Sequence, residues 1–139
     1  MSGEKIKDRL TLEDARRVIA AAEAKAVALG IAQDIAVVDT GGRLKAFARM
    51  DEGNIGSIYI AINKAYTAIA FQGETASLTD ITRVDQDLYG LSDAHGGGLC
   101  VFPGGIPLVR DGQIIGAIGV STGTIQEDQA VAAAGAAAI

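Results

Sequence analysis

The chain has 139 residues, of which 49% are apolar and 21% charged, and this composition predicts one folded domain rather than a disordered segment. A formal net charge of -5 argues against nucleic acid as a partner, and the single cysteine, Cys100, excludes an internal disulfide. No stretch reaches the roughly 18 apolar residues that a membrane helix needs, so we expect a cytoplasmic protein with no membrane partner. We divide it into an N-terminal tail, residues 1–10, and a single domain, residues 11–139.

The first half of the chain predicts a helix, a hairpin and a second helix. Thr11 and Asp14 form a capping-box pattern at the start of the first helix, and Gly30 suits its end. The hairpin turns at Gly41-Gly42 between two apolar stretches. In chain order the elements are a helix over 12–29, strands over Asp34–Thr40 and Arg43–Met50, and a helix from Ile55 to Phe71.

The second half predicts a weaker helix, three strands and a final helix. Asp111-Gly112 lies between two apolar runs and favours a type I′ hairpin turn, and Thr124 with Glu127 forms a second capping box. The elements are a helix from Ser77 to Leu88, a loop over Asp93–Gly98, strands over Leu99–Phe102, Ile106–Arg110 and Gln113–Ser121, and a helix to Ala138. This order predicts an α+β fold, with an antiparallel sheet of five strands and helices packed on its faces.

Four motifs stand in order along the chain: Asp39–Asp51, Lys64–Ala68, Phe102–Leu108 and Gly116–Ser121. Together they resemble the GlcG/HbpS-like family and the C-terminal part of PduO-type proteins, over a region from Leu10 to Ile139. The resemblance implies a profilin-like fold and assembly into a symmetric homo-oligomer. It also implies a role linked to binding haem or sensing its breakdown, while other members resemble accessory proteins of glycolate or diol catabolism.

His95 is the only histidine and the first candidate for chemistry. Imidazole serves proteins as a haem axial ligand, a metal ligand or a general acid and base. Gly96 and Gly97 follow it, and a glycine-rich loop lets backbone N–H groups approach an anionic ligand. The competing interpretation is a solvent-exposed loop histidine.

A second candidate site combines Arg49 and Asp51 at the end of the first hairpin with Lys64 on the second helix. Arg49 can grip a carboxylate with two hydrogen bonds, Lys64 supplies a charge or a nucleophile, and Asp51 or His95 can move a proton. The alternative is a structural ion pair of Asp51 with Lys64 or Arg49.

Several other residues have a structural interpretation, and some of them are also candidate ligand contacts. Asp39 is a candidate ligand contact, although aspartate at a turn commonly accepts bonds from local amides. Glu127 and Asp128 are interpreted as helix-cap residues, and Met50 and Cys100 as apolar packing. The remaining candidate ligand contacts, which can equally be backbone that shapes the fold, are Phe102, Gly104 and Gly105.

Three hypotheses for function follow from these residues and from the resemblance. The first is a small-ligand-binding protein of the haem-associated type, with haem or a related tetrapyrrole near His95. The second is an enzyme or accessory protein acting on a small oxo- or hydroxy-acid through Arg49, Lys64 and Asp51 or His95. The third is an oligomeric scaffold that binds no small ligand.

Overall fold

Residues 9–139 are described by a computed structural model, and of the predicted N-terminal tail they include only Arg9 and Leu10. Leu10 packs in the hydrophobic core. The helices are α1 (Leu12–Leu29), α2 (Ser57–Ala70), the five-residue α3 (Leu91–His95) and α4 (Ile125–Ala136), with a 3-10 helix over Thr75–Leu78. The strands are β1 (Asp34–Asp39), β2 (Leu44–Arg49), β3 (Gly105–Arg110) and β4 (Gln113–Ser121).

The strands form one antiparallel sheet in the order β2-β1-β4-β3, with helices on both faces. The prediction of an α+β fold with an antiparallel sheet is therefore confirmed. The prediction of five strands is wrong, because residues 9–139 supply four to this sheet. Leu99–Phe102 is not a strand: the Cys100 N–H donates to Thr67 Oγ1, and the Val101 carbonyl accepts from Thr79 Oγ1. This segment therefore satisfies its backbone with side chains instead of a neighbouring strand.

Alternate residues along the central strands face opposite helical layers. Ile35 and Val37 on β1 pack in the core formed with α1 and α4, whereas Ala36 and Val38 pack against α2. This two-residue alternation is what a sheet covered on both faces requires. Within the described residues, no helix is long and apolar enough to cross a membrane.

The α2 layer lies very close to the sheet because its contact residues are small. Ala61, Ala65 and Ala68 are fully buried and face Ala36 and Ala117. A Cβ added at Gly119 of β4 would overlap the carbonyl oxygen of Ala61. Only glycine leaves room for this approach, so the Ala- and Gly-rich composition sets the distance between helix and sheet.

The predictions of a turn at Asp111-Gly112 and of two capping boxes are confirmed, whereas the β1–β2 hairpin has a three-residue loop, Thr40–Gly42, and not a two-residue turn at Gly41-Gly42. Asp111 and Gly112 have φ of 51° and 77°, the positive pair that a type I′ turn requires. Both capping boxes form: Thr11 Oγ1 accepts from the Asp14 N–H at 2.9 Å, and Thr124 Oγ1 accepts from the Glu127 N–H at 3.2 Å.

The prediction of a helix from Ser77 to Leu88 is wrong. Asp85 has φ of 69°, which no helix interior adopts, and Ser77 Oγ donates to the Glu74 carbonyl instead of capping a helix. Leu78 is buried in the 3-10 helix, but Ile81, Val84 and Leu88 are exposed, so a helix over this stretch would have no continuous apolar face to bury. The predicted loop over Asp93–Gly98 is also wrong at its start, because α3 continues to His95.

Asp14 joins the start of α1 to the β3–β4 hairpin. Arg110 donates to both Asp14 carboxylate oxygens, at 2.9 and 3.2 Å, and this holds the pKa of Asp14 well below its ordinary value of 3.8. A lowered folded-state pKa means that the stabilisation is complete above about pH 4 and is lost as the pH falls further.

We therefore expect Asp14→Asn to lower the free energy of unfolding at pH 7 by about 1–3 kcal/mol, measured by urea denaturation. The variant should lose less stability than the parent between pH 5 and pH 2. Arg17→Ala is the matched control, because Arg17 bonds the same carboxylate from a half-exposed position. An equal loss in both variants would contradict the role given to Arg110.

Candidate functional site

Lys64 of α2 is fully buried, which is unusual for a lysine. Its Nζ donates to Asp128 Oδ2 at 2.9 Å and to the Val120 carbonyl at 2.8 Å. Asp128 lies on α4, on the opposite face of the sheet. The ion pair therefore joins the two helical layers at the end of β4.

Lys64 takes a hydrogen bond that the sheet would otherwise make. The β3–β4 ladder begins with Gly105 opposite Gly119, so Gly104 and Val120 are the next pair along the two strands. The Val120 N–H does donate to the Gly104 carbonyl, at 2.9 Å, but the Gly104 N–H donates to Gln129 Oε1 instead of the Val120 carbonyl. The Lys64 amine donates to the Val120 carbonyl in place of the Gly104 N–H, and the β3–β4 ladder ends there.

Phe102, Gly104 and Gly105 close over the lysine. The Lys64 Nζ lies 4.9 Å from the centroid of the Phe102 ring, within cation–π range. Gly104 has φ of 126°, and a Cβ there would lie 2.7 Å from Nζ. A Cβ at Gly105 would overlap the Lys64 carbonyl oxygen. These three candidate ligand residues therefore contact Lys64, and the geometry supports their plainer role of shaping the backbone.

The sequence pattern favoured a cap role for Asp128 and did not predict its ion pair with Lys64. Glu127 already completes the capping box, and Asp128 precedes the buried Val131 and Ala132 by three and four residues, which places it on the core face of α4. That spacing was the available signal. Burial raises the pKa of Asp128, while Lys64 and the Gly123 N–H stabilise the charged carboxylate.

Cys100 and Met50 pack as the sequence suggested. Cys100 is buried, and this burial raises the pKa of its thiol, so the reactive thiolate is disfavoured. Met50 is partly buried against the core. Neither side chain is presented to solvent as a reactive or metal-ligating group.

His95 ends α3 and is exposed, and its imidazole meets α2. Its Nε2 lies 3.1 Å from the Tyr66 hydroxyl, and the two ring centroids are 5.4 Å apart. Gly96 and Gly97 follow with φ of 92° and 91°, values that glycine adopts readily, and Gly98 then lies beside the imidazole. Tyr66 was not singled out from the sequence, because nothing in its local pattern places residue 66 next to residue 95.

Arg49 and Asp51 do not join Lys64 in a cluster. Arg49 ends β2 and donates from Nη1 to the Gly53 carbonyl at 3.0 Å, and Asp51 is exposed in the loop that follows. Strands β1 and β4 lie between Arg49 and the Lys64 amine, whose carboxylate partner is Asp128. Among residues 9–139, no ion pair links Asp51 to Lys64 or Arg49. The arrangement proposed for a small carboxylate substrate is therefore not assembled.

A buried carboxylate that the sequence did not reveal lies beside this loop. Asp34 is fully buried opposite Arg49 in the β1–β2 register, and its Oδ1 accepts from Thr122 Oγ1 at 2.6 Å. Thr122 has φ of 102°, a strained value for a β-branched residue. A Cβ at Gly53 would overlap Asp34 Oδ1, so glycine is needed where the loop crosses the end of β1.

Asp39 behaves as the predicted turn residue. Its Oδ1 accepts from the Gly41 and Arg43 N–H groups, at 2.9 and 3.1 Å, and holds the β1–β2 turn.

Within the described part of the chain, no group of three or more His, Cys, Asp or Glu side chains is arranged to hold a metal ion. Iron binding through His95 would therefore depend on ligands that a prosthetic group brings with it.

Two variants test how much the Lys64–Asp128 ion pair contributes to stability. Lys64→Met leaves the Asp128 carboxylate buried without a cation, and we expect a loss of about 3–5 kcal/mol in the free energy of unfolding, measured by urea denaturation. The double variant Lys64→Met with Asp128→Leu removes both charges and should recover most of that loss. If the double variant is no more stable than Lys64→Met, the ion pair is not the source of the effect.

Comparisons with known proteins agree with the four sequence motifs. A family model described as haem degrading protein HbpS-like matches residues 10–137. An uncharacterized 15.0 kDa protein in the dhaT-dhaS intergenic region of Citrobacter freundii is 37% identical over 123 residues, which are 88% of this chain and 87% of that protein.

Two solved structures are also similar. The crystal structure of Klebsiella pneumoniae protein ORFY has a TM-score of 0.92 at 35% identity, covering 99% of this chain and 95% of that one. A PduOC:heme complex has a TM-score of 0.90 at 33% identity, covering 94% of this chain and 95% of that one. The chain belongs to the HbpS-like family.

Proposed function

We propose that the chain binds haem or a related tetrapyrrole, with His95 as the iron ligand. Family membership and the 33% identity to a protein solved as a heme complex support a haem-associated role. The observation that carries the assignment to a residue is the exposed imidazole of His95, the only histidine in the chain. Haem, when bound, supplies an iron centre whose reactivity depends on its axial ligand and surroundings.

The residues around His95 fit this role. Gly98 lies beside the imidazole, where an added Cβ would come 3.3 Å from Nδ1, so glycine at this position leaves that nitrogen free of a neighbouring side chain. The Tyr66 hydroxyl bonds Nε2 and so fixes the direction in which the ring points. A second group that orients a ligating imidazole is the usual arrangement in metal sites. Tyr66 is then a positioning residue for iron bound through Nδ1.

The aromatic side chains lie outside the buried core, where they are available to contact a ligand. None of the three tyrosines and three phenylalanines is in the buried core, although aromatic side chains ordinarily dominate a core. Five of them lie between residues 59 and 102, on α2 or in the segment that follows it. They are Tyr59, Tyr66, Phe71, Tyr89 and Phe102. Flat apolar walls are what a porphyrin requires from its binding protein, and Tyr66 of α2 contacts His95 directly.

The same proposal includes a homo-oligomer with the ligand held between protomers. Ile55, which precedes α2, and Tyr59, in its first turn, are 77% and 74% exposed, which is a large apolar surface to leave in water. A second protomer would cover it and supply a second wall to a planar ligand. The profilin-like classification and the cytoplasmic location stay predictions.

Haemin titration followed in the Soret region tests the proposal. We expect a saturable spectral shift that His95→Ala abolishes, and one that Tyr66→Phe weakens while changing the position of the band. Tyr89→Phe is the matched control, because Tyr89 is a 67% exposed tyrosine whose hydroxyl does not contact His95, and it should titrate like the parent.

The outcomes separate the two parts of the proposal. No saturable shift in the parent protein would overturn haem binding altogether. A shift that His95→Ala leaves unchanged would retain haem binding and overturn His95 as the iron ligand.

A further inference from the structure

A cavity of about 270 Å³ lies at the end of the sheet where the β1–β2 hairpin turns, next to the residues that precede α1. It shares no residue with the surroundings of His95. Its lining residues are Arg9, Leu10, Asp39, Thr40, Gly41, Arg43 and Lys45. The haem-binding proposal makes no use of this cavity, which contains Asp39, a candidate ligand contact in the sequence.

The lining carries a concentration of positive charge. Arg9 precedes α1, Arg43 ends the turn and Lys45 lies on β2, so two separate stretches of the chain bring three cations to one cavity. Across residues 9–139, none of the three lies within ion-pair distance of a carboxylate. Asp39 is the one acidic lining residue, which leaves a formal excess of two positive charges on a chain whose net charge is -5.

Asp39 holds the turn and offsets one of the three positive charges. Its Oδ1 accepts from the Gly41 and Arg43 N–H groups, which holds the turn in place. A Cβ at Gly41 would lie 3.3 Å from both Arg43 Nη1 and Asp39 Oδ1, so the guanidinium is folded back over the turn and glycine leaves both groups the space. An arginine held in this way presents paired donors to an oxyanion.

We propose that this cavity binds a small compound carrying two negative charges on oxygen atoms, either a phosphate group or a dicarboxylate. The shared chemistry is a compact dianion, which matches the formal excess of two positive charges. Arg43 provides bidentate hydrogen bonds, Lys45 and Arg9 provide compact and forked charges, and the Thr40 hydroxyl adds a neutral donor. The cavity volume suits a small metabolite and not a porphyrin.

Isothermal titration calorimetry with inorganic phosphate and with succinate, each at constant ionic strength, tests the proposal. We expect saturable binding of at least one of the two probes, and the probe that binds more tightly identifies the dianion class. Arg43→Ala should weaken that binding about tenfold or more, and Arg43→Lys should also weaken it because a lysine cannot make the bidentate contact.

Two control variants make the result specific. Lys25→Ala removes an exposed cation on α1 outside the cavity, and it should bind the probe like the parent. His95→Ala should also bind normally, which separates this cavity from the haem proposal. Failure of both probes to bind saturably, or equal weakening in Arg43→Ala and Lys25→Ala, would overturn the assignment.

Discussion

Removing a lysine and an aspartate from water costs several kcal/mol for each ion, and only close contact with further hydrogen bonds offsets that cost. Lys64 and Asp128 meet these conditions at 2.9 Å, with the Val120 carbonyl and the Gly123 N–H as additional partners. Because Lys64 starts on one face of the sheet and Asp128 on the other, the pair fixes how α2 and α4 sit relative to each other. The apolar layers alone would tolerate small sliding movements, since aliphatic contacts have no direction.

The ion pair also dictates the course of the chain from Phe102 to Gly105. Once the lysine amine takes the Val120 carbonyl, the Gly104 N–H needs another acceptor and finds it in Gln129, whose Nε2 donates to Glu74. Gly105 in turn donates to Thr75 Oγ1. The 3-10 helix, the start of β3 and α4 are thus held together by polar contacts, at a place where the sheet itself has ended.

Local chemistry in the sequence predicted the elements whose stability is local. The capping boxes at Thr11 and Thr124 and the Asp111-Gly112 turn depend on residues at most four apart, and each forms as expected. The helices α1 and α2 follow from apolar spacing. Resemblance to a known family contributed the haem-associated role, which no spacing in this chain indicates.

The errors lie where distant residues decide the outcome. Residues 79–88 form turns because no neighbouring element covers Ile81, Val84 and Leu88, and Leu99–Phe102 bonds the side chains of Thr67 and Thr79. The partner of Lys64 is 64 residues away, and the partner of His95 is 29 residues away. A single sequence contains no record of such pairs, so the candidate residues were identifiable by type while their grouping was not.

The narrow gap between α2 and the sheet has a consequence for how this molecule can change over time. A layer filled by alanine and glycine has no space for a larger side chain, so the residues that maintain it can hardly vary. Phe47 packs against the edge of this layer, whereas Tyr59, Phe71 and Tyr89 lie exposed at the surface. In the proposed haem-binding role, ligand preference and folding are therefore encoded by largely separate sets of residues. Related chains can acquire new ligands by altering the outside of α2 and the segment after it, while the packing beneath stays the same.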